Sequence, residues 1–392
     1  MKNVPEIRFK GFTDAWEQRK FNTLVNRVSK TNSENILPRV EFEDIISGSG
    51  RLNKNLLKKR DFKNGIEFEE GDVLFGKLRP YLKNWLLPDF NGVAVGDFWV
   101  LRPNENDSSF IYYLIQSDDF QIVANLSTGT KMPRSDWGVV SETEFGTPCV
   151  AEQTLIGTFF RTLDNTIAIY KRKLDGLREL KKAYLQMMFP QEGEVVPRVR
   201  FEGFSEDWES IELGNVFEQT ARYVNPKEKN IELWSLTVEN GLTPKTERYN
   251  REFLVKKDDA FKSVKPDEFI YNPMNMTLGA VDLNTTGNEV AVSGYYITMQ
   301  TKQGYNNNYF AVWLKSPMAI NLYKTYATGG LIEKQRVQFL TLAQIKVVTP
   351  SFFEQEAIGN FFNSLDLQIV TLSKKAEKLA QLKNAYLQKM FV

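Results

Sequence analysis

The chain contains no histidine. This removes the commonest general base, any Ser–His or Cys–His nucleophile pair, and zinc sites of the His–Cys type. Carboxylates, lysine and tyrosine remain, so catalysis becomes less expected without being excluded. There is one cysteine, Cys149. A disulfide within the chain is therefore impossible, and a reducing compartment fits. No apolar run is long enough to span a bilayer, and the start shows no secretory pattern. The expectation is a soluble, cytoplasmic protein with no membrane partner. Charge of either sign is not in excess: 50 Lys and Arg face 49 Asp and Glu, a net +1. Any nucleic-acid surface must come from charge segregated onto one face.

What is present is apolar substance and repetition. The 392 residues are 42% hydrophobic and 13% aromatic, enough for two ordinary domains and additional helices. The stretch Glu152 to Phe189 returns at Glu354 to Phe391 without a gap, and half of the paired positions are identical. Each copy carries an apolar seam spaced 4-3-4-3. The first runs through Ile156, Phe160, Leu163, Ile167, Tyr170, Leu174 and Leu177. The second runs through Ile358, Phe362, Leu365, Ile369, Leu372, Ala376 and Leu379. Lys181 and Lys383 interrupt both seams at the same register. Such a period predicts two long coiled-coil helices, each roughly 55 Å long at 1.5 Å per residue. A stripe this narrow suits another rod better than a curved core, so each helix is the obvious partner of the other.

The opening segment repeats as well. Arg8-Phe9-x-Gly11-Phe12-x-x-x-Trp16-Glu17 recurs from Arg200-Phe201 to Trp208-Glu209. The chain is therefore two tandem copies of one unit. The expected layout is a domain at 1–150, a long helix at 151–190, a second domain at 191–350 and a second long helix at 351–392. The fold class is α+β, with pseudo-two-fold symmetry if the helices pack antiparallel. Within each domain a turn and strand at Glu70–Phe75 corresponds to Pro266–Tyr271. A second strand at Val93–Val100 corresponds to Val290–Ile297. Helical pairs follow. Asp107 and Ser117 are the caps in the first domain, and Asn308 and Ser316 in the second. Thr128-Gly129 and Thr328-Gly329 provide the stops.

Apparent catalytic motifs fail on inspection. Gly71 to Leu78 nearly spells a phosphate loop, but Leu78 stands where a hydroxyl must hold the metal. Tyr271-Asn272-Pro273-Met274 resembles the Asn-Pro-Pro-aromatic element of amino-methyltransferases without its second proline or aromatic. Ser47 to Arg51 reads as a turn. Polar loops are better candidates. Arginine and lysine suit guanine edges, and asparagine and glutamine suit adenine. The candidates are Lys77, Arg79, Lys83, Lys131 and Arg134 in the first domain. Asn272, Asn275, Lys334, Gln335 and Arg336 are those in the second. Each also reads as an ordinary solvated side chain. The loops differ between the copies while the scaffold agrees, as two different targets would require.

Two variable domains, each followed by a long helix that begins Glu-Gln-x-x-Ile-Gly and ends Ala-Tyr-Leu-Gln-x-Met-Phe, resemble the specificity subunit of type I restriction–modification systems. The opening Arg-Phe-x-Gly-Phe-x-x-x-Trp-Glu resembles that family too. The resemblance implies a subunit that is not an enzyme. It implies two target recognition domains reading a bipartite double-stranded DNA sequence, with an antiparallel coiled coil setting the gap. It also implies two methyltransferase subunits docked on the helices, joined by restriction and translocase subunits. S-adenosylmethionine, ATP and magnesium would belong to those partners. A protein-binding adaptor with two clients is the alternative.

Overall fold

The structure is a computed structural model. It describes residues 4–33, 37–56, 63–126, 132–191, 193–245, 261–329 and 335–391. The chain divides into two compact units, Met1–Lys173 with Leu372–Val392, and Leu174–Thr371. Both long helices form without a break, Val150–Met187 and Phe352–Met390. No proline falls within the body of either helix.

In the first unit, strand Glu17–Lys20 pairs antiparallel with Glu144–Thr147 and closes the domain just before the long helix starts. A four-stranded antiparallel sheet follows the order Val25–Val28, Phe98–Pro103, Val73–Gly76, Trp85–Leu86. A second sheet has the order Thr31–Asn32, Gly65–Phe68, Gly92–Ala94, Arg39–Val40, its last pair parallel. The run Val93–Val100 is thus not one strand, as its β-branched content suggests. Gly96, at φ +100°, breaks it, and the chain passes from one sheet to the other. The second unit repeats this. Val290–Ser293 joins Phe261–Val264 and Tyr223–Val224, while Ile297–Thr301 lies between Phe217–Thr220 and Phe269–Tyr271. Glu209–Glu212 closes on Lys346–Thr349.

Helix caps follow side-chain chemistry. Asp107 accepts from Phe110 N and Ser117 from Phe120 N. Ser316 accepts from Ala319 N, with Pro317 in the first turn. The cap of Asn307–Trp313 is Asn306 and not Asn308, because only Asn306 has the extended backbone that lets its side chain reach Tyr309 N. The following helix ends at Tyr326, before Thr328-Gly329. Thr328 is bridged instead to Arg336. The first stop, Thr128-Gly129, lies outside the described residues.

The repeated signatures are the parts that fasten the opening segment of each unit to the start of a long helix. Arg8 donates two hydrogen bonds to the Glu152 carboxylate, at 2.7 and 2.8 Å, and Trp16 Nε1 adds a third at 3.2 Å. Arg200 and Glu354 repeat the fork at 2.7 Å on both arms. Gln153 joins Asp107 N, Asn106 and Pro148 O, and Gln355 joins Asn306 N, Thr349 and Pro350 O. Gly157 lets the helix approach Ser109, whose Cβ would stand 2.6 Å from an added methyl. Gly359 does the same against Tyr309 N at 2.7 Å. The signature Glu-Gln-x-x-Ile-Gly is therefore an ion pair, a loop clamp, a core side chain and a close approach.

The closing Met-Phe pairs are core residues. In the first unit Phe391 stacks on Phe110 at 5.5 Å and meets Trp16 at 6.5 Å. In the second, Phe189 packs on Tyr309 at 5.7 Å and Phe362 at 6.0 Å. Burying one such ring contributes roughly 1.5–3 kcal/mol. Within the first unit Phe159 meets Tyr386, and Asp164 meets Lys383. Within the second, Tyr184 meets Phe361 and Lys181 meets Asp366. In each unit the paired residue numbers run in opposite directions, so the two helical segments are antiparallel there. The seam is the covered face. Ile156, Phe160, Ile167, Leu174, Ile358, Phe362 and Leu365 are buried, and Leu163, Leu177, Ile369, Leu372 and Leu379 are half-buried.

Candidate nucleic-acid interface

In the first unit the candidates gather where strand Val73–Gly76 leaves its sheet. Arg79 turns the chain with φ 49° and ψ 62°. A 3-10 turn, Pro80–Leu82, follows, and Lys83 ends it at φ 56° and ψ 44°. Two non-glycine residues in the left-handed region cost of order 1 kcal/mol each and persist only where the surroundings impose them. Here the backbone does so. Arg79 N donates to Pro133 O at 2.8 Å, Lys83 N to Pro80 O at 2.9 Å, and Gly48 N to Lys83 O at 2.9 Å. Tyr81 and Leu82 are left exposed at the tip.

The loop around Arg134 is tied to the same place. Leu78 bridges Arg134, and Ser135 N donates to Lys77 O at 2.9 Å. Lys77, Arg79, Lys83 and Arg134 therefore share one edge of the unit, although the last lies far along the chain. Lys77 and Arg134 both face Asp97, at 3.6 and 3.0 Å. Asp97 was not a sequence candidate, since Val93–Val100 reads as a strand. Among the described residues, the Arg79 and Lys83 side chains have no hydrogen-bond or ion-pair partner. Lys131 lies outside the described residues.

The second unit builds the matching edge chiefly with amide side chains, and with fewer cations. After strand Phe269–Tyr271, the Asn272 side chain accepts from Met274 N at 3.0 Å, an Asx turn. Asn275 N donates to Asn272 O, and Asn275 O accepts from Leu278 N and Ala280 N. Gly279, at φ +90°, completes the turn. Val337 N donates to Pro273 O at 3.0 Å, which brings Gln335 and Arg336 to this edge. Arg336 is exposed and Gln335 half-buried. Lys334 lies outside the described residues. Among the described residues no group of three His, Cys, Asp or Glu side chains could hold a metal, and no helix is long and apolar enough to cross a membrane.

Replacing Lys83 by glycine separates the two roles of this turn. Glycine relieves the left-handed strain, so stability is expected to rise by about 1 kcal/mol. The charge is lost, so any affinity of this edge for a nucleic-acid duplex is expected to fall. Urea unfolding together with a duplex-binding titration checks the opposite signs. A fall in both would mean that the lysine is merely structural.

Residues 13–179 match the family described as type I restriction modification DNA specificity domain. No curated protein matches the chain. Among solved structures, the type I restriction–modification system S subunit from M. genitalium aligns with TM-score 0.64 and 16% identity, over 99% of both chains. A chain solved to show the structural basis of complex assembly and conformational transition of the type I R-M system aligns with TM-score 0.52. It is also 16% identical, over 95% of this chain and 96% of that one. At this identity the likeness is one of fold.

Proposed function

We propose, from the premise that residues 13–179 belong to the family of type I restriction modification DNA specificity domains, that the whole chain is the specificity subunit of such a system. It carries two tandem target recognition domains, 1–150 and 191–350. Each reads one half of a bipartite double-stranded DNA sequence. The helices of 151–190 and 351–392 pair as an antiparallel coiled coil and set the gap between the halves. Two methyltransferase subunits dock on the helices, and restriction and translocase subunits join them. S-adenosylmethionine, ATP and magnesium act on those partners. This chain performs no chemical step.

One observation carries the reading. The clamps from Arg8 to Glu152 and from Arg200 to Glu354 are the same, while the loops held at the equivalent edge differ in charge. Selection for two targets on one scaffold leaves that pattern. Half-sites on one side of a duplex lie roughly 34–36 Å apart, within the span of rods of about 55 Å. The cations at the first edge suit guanine and phosphate; at the second edge the amides suit adenine and Arg336 suits guanine or phosphate. Phosphate contacts would make the affinity steeply salt-dependent.

The test is co-expression with a type I methyltransferase partner, followed by long-read mapping of methylated adenines. One bipartite motif is expected, and exchanging residues 18–150 for those of another such subunit should change only one half. A stable complex that methylates no defined motif would favour an adaptor that holds protein clients.

A further inference from the structure

Asp97 has no evident task in the core. It lies in the turn between Gly92–Ala94 and Phe98–Pro103, with its side chain 28% exposed. Its carboxylate meets cations from two other loops, Arg134 Nη2 at 3.0 Å and Lys77 Nζ at 3.6 Å. Its carbonyl also accepts from Lys77 N at 2.9 Å. Exposed ion pairs of this kind contribute little to stability, so the arrangement calls for another use.

Arg134 is held at both ends. Its backbone is bridged to Leu78, and the tip of its side chain rests on Asp97. Only one of its five donors is engaged among the described residues, and the side chain is 55% exposed. A guanidinium fixed on one edge offers the rest of its fork in a set plane. The base edge that accepts such a fork is guanine, through O6 and N7. Fixing the fork beforehand lowers the entropy lost on binding. Two cations against one carboxylate leave the group positive, so it can still approach phosphate.

The second unit lacks the device. Phe75 pairs with Trp99 in the first unit and Tyr271 with Ile297 in the second, which sets Tyr295 where the first unit has Asp97. Tyr295 is 85% exposed. We infer that Arg134 reads a guanine in the half-site of the first domain, with Asp97 as the positioning residue that aims it. This rests on the DNA-reading function proposed above.

The experiment uses the complex with its methyltransferase. Once the motif of the unaltered complex is mapped, duplexes varied at each position of the first half-site are ranked by methylation rate. Asp97→Asn and Arg134→Lys are both expected to lower discrimination at the same single G·C position by about tenfold or more. The second half-site and the melting temperature should not change. An unchanged ranking in both variants overturns the inference. So does a loss spread evenly over all positions, which marks a plain charge effect, or a first half-site without G·C. A complex with no motif at all, before any substitution, would instead sink the DNA-reading function.

Discussion

Glu152→Ala is expected to lower unfolding free energy by about 3 kcal/mol or more. The Glu152 side chain is 1% exposed and takes the fork of Arg8, itself only 12% exposed. The carboxylate also receives the Trp16 indole N–H. Removing it strands a desolvated guanidinium and an indole donor together. Such a charge costs far more unpaired than its pair contributes, because both desolvation and Coulomb attraction grow as solvent is excluded. The Glu152 charge in turn raises the Arg8 pKa above its ordinary value, chiefly through the hydrogen bonds, so the guanidinium does not discharge to escape. Urea unfolding of Glu152→Ala beside Arg8→Met with Glu152→Leu makes the test. The double variant should recover much of the loss, since it leaves no buried charge. A single variant within 1 kcal/mol of the parent would show that the helix start is held by packing alone.

The second large effect concerns the lysines that interrupt the seams. Lys383 is buried in the first unit, 2.8 Å from Asp164 and 3.2 Å from the Gln116 side-chain oxygen. Asp164 also accepts from Tyr113 OH at 2.8 Å. Burial, with the Asp164 charge adding to it, raises the Tyr113 pKa, so this hydroxyl stays a donor. The counterpart in the second unit, Lys181 with Asp366 at 2.6 Å, is more open, with side chains 28% and 47% exposed. Asp164→Ala should therefore cost about 3 kcal/mol, and Asp366→Ala under about 1 kcal/mol. The two substitutions are the same and occupy the same place in each repeat, so the difference reports solvent exposure together with the Tyr113 hydrogen bond to Asp164. Equal losses in thermal or urea unfolding would refute it.

A polar pair inside an apolar seam also bears on register. Sliding either helix past the other would bury Lys383 without Asp164. The alternatives are thereby made costly, as a buried polar residue does in coiled coils.

The helices, their seam and the duplication are legible without any structure. These are local or periodic features: an apolar stripe, caps such as Ser117 and Ser316, and paired signatures that need no third dimension to be seen. The strands at Val73 and Phe269 are legible too, though not the break at Gly96, where a single positive φ redirects the chain into another sheet. What the signatures do is set by long-range packing. Arg8 and Glu152 lie far apart along the chain, and which carboxylate a half-buried arginine finds depends on where the strand pair Glu17–Lys20 and Glu144–Thr147 closes. Lys383 looked like a flaw in its seam because its partner, Asp164, is on the other helix. Asp97 could not be picked out for the same reason. Its meaning lies in Lys77 and Arg134, which strand pairing and one backbone bridge bring to it. Short-range order is written in spacing, but electrostatic partners are chosen by long-range packing, which spacing does not record.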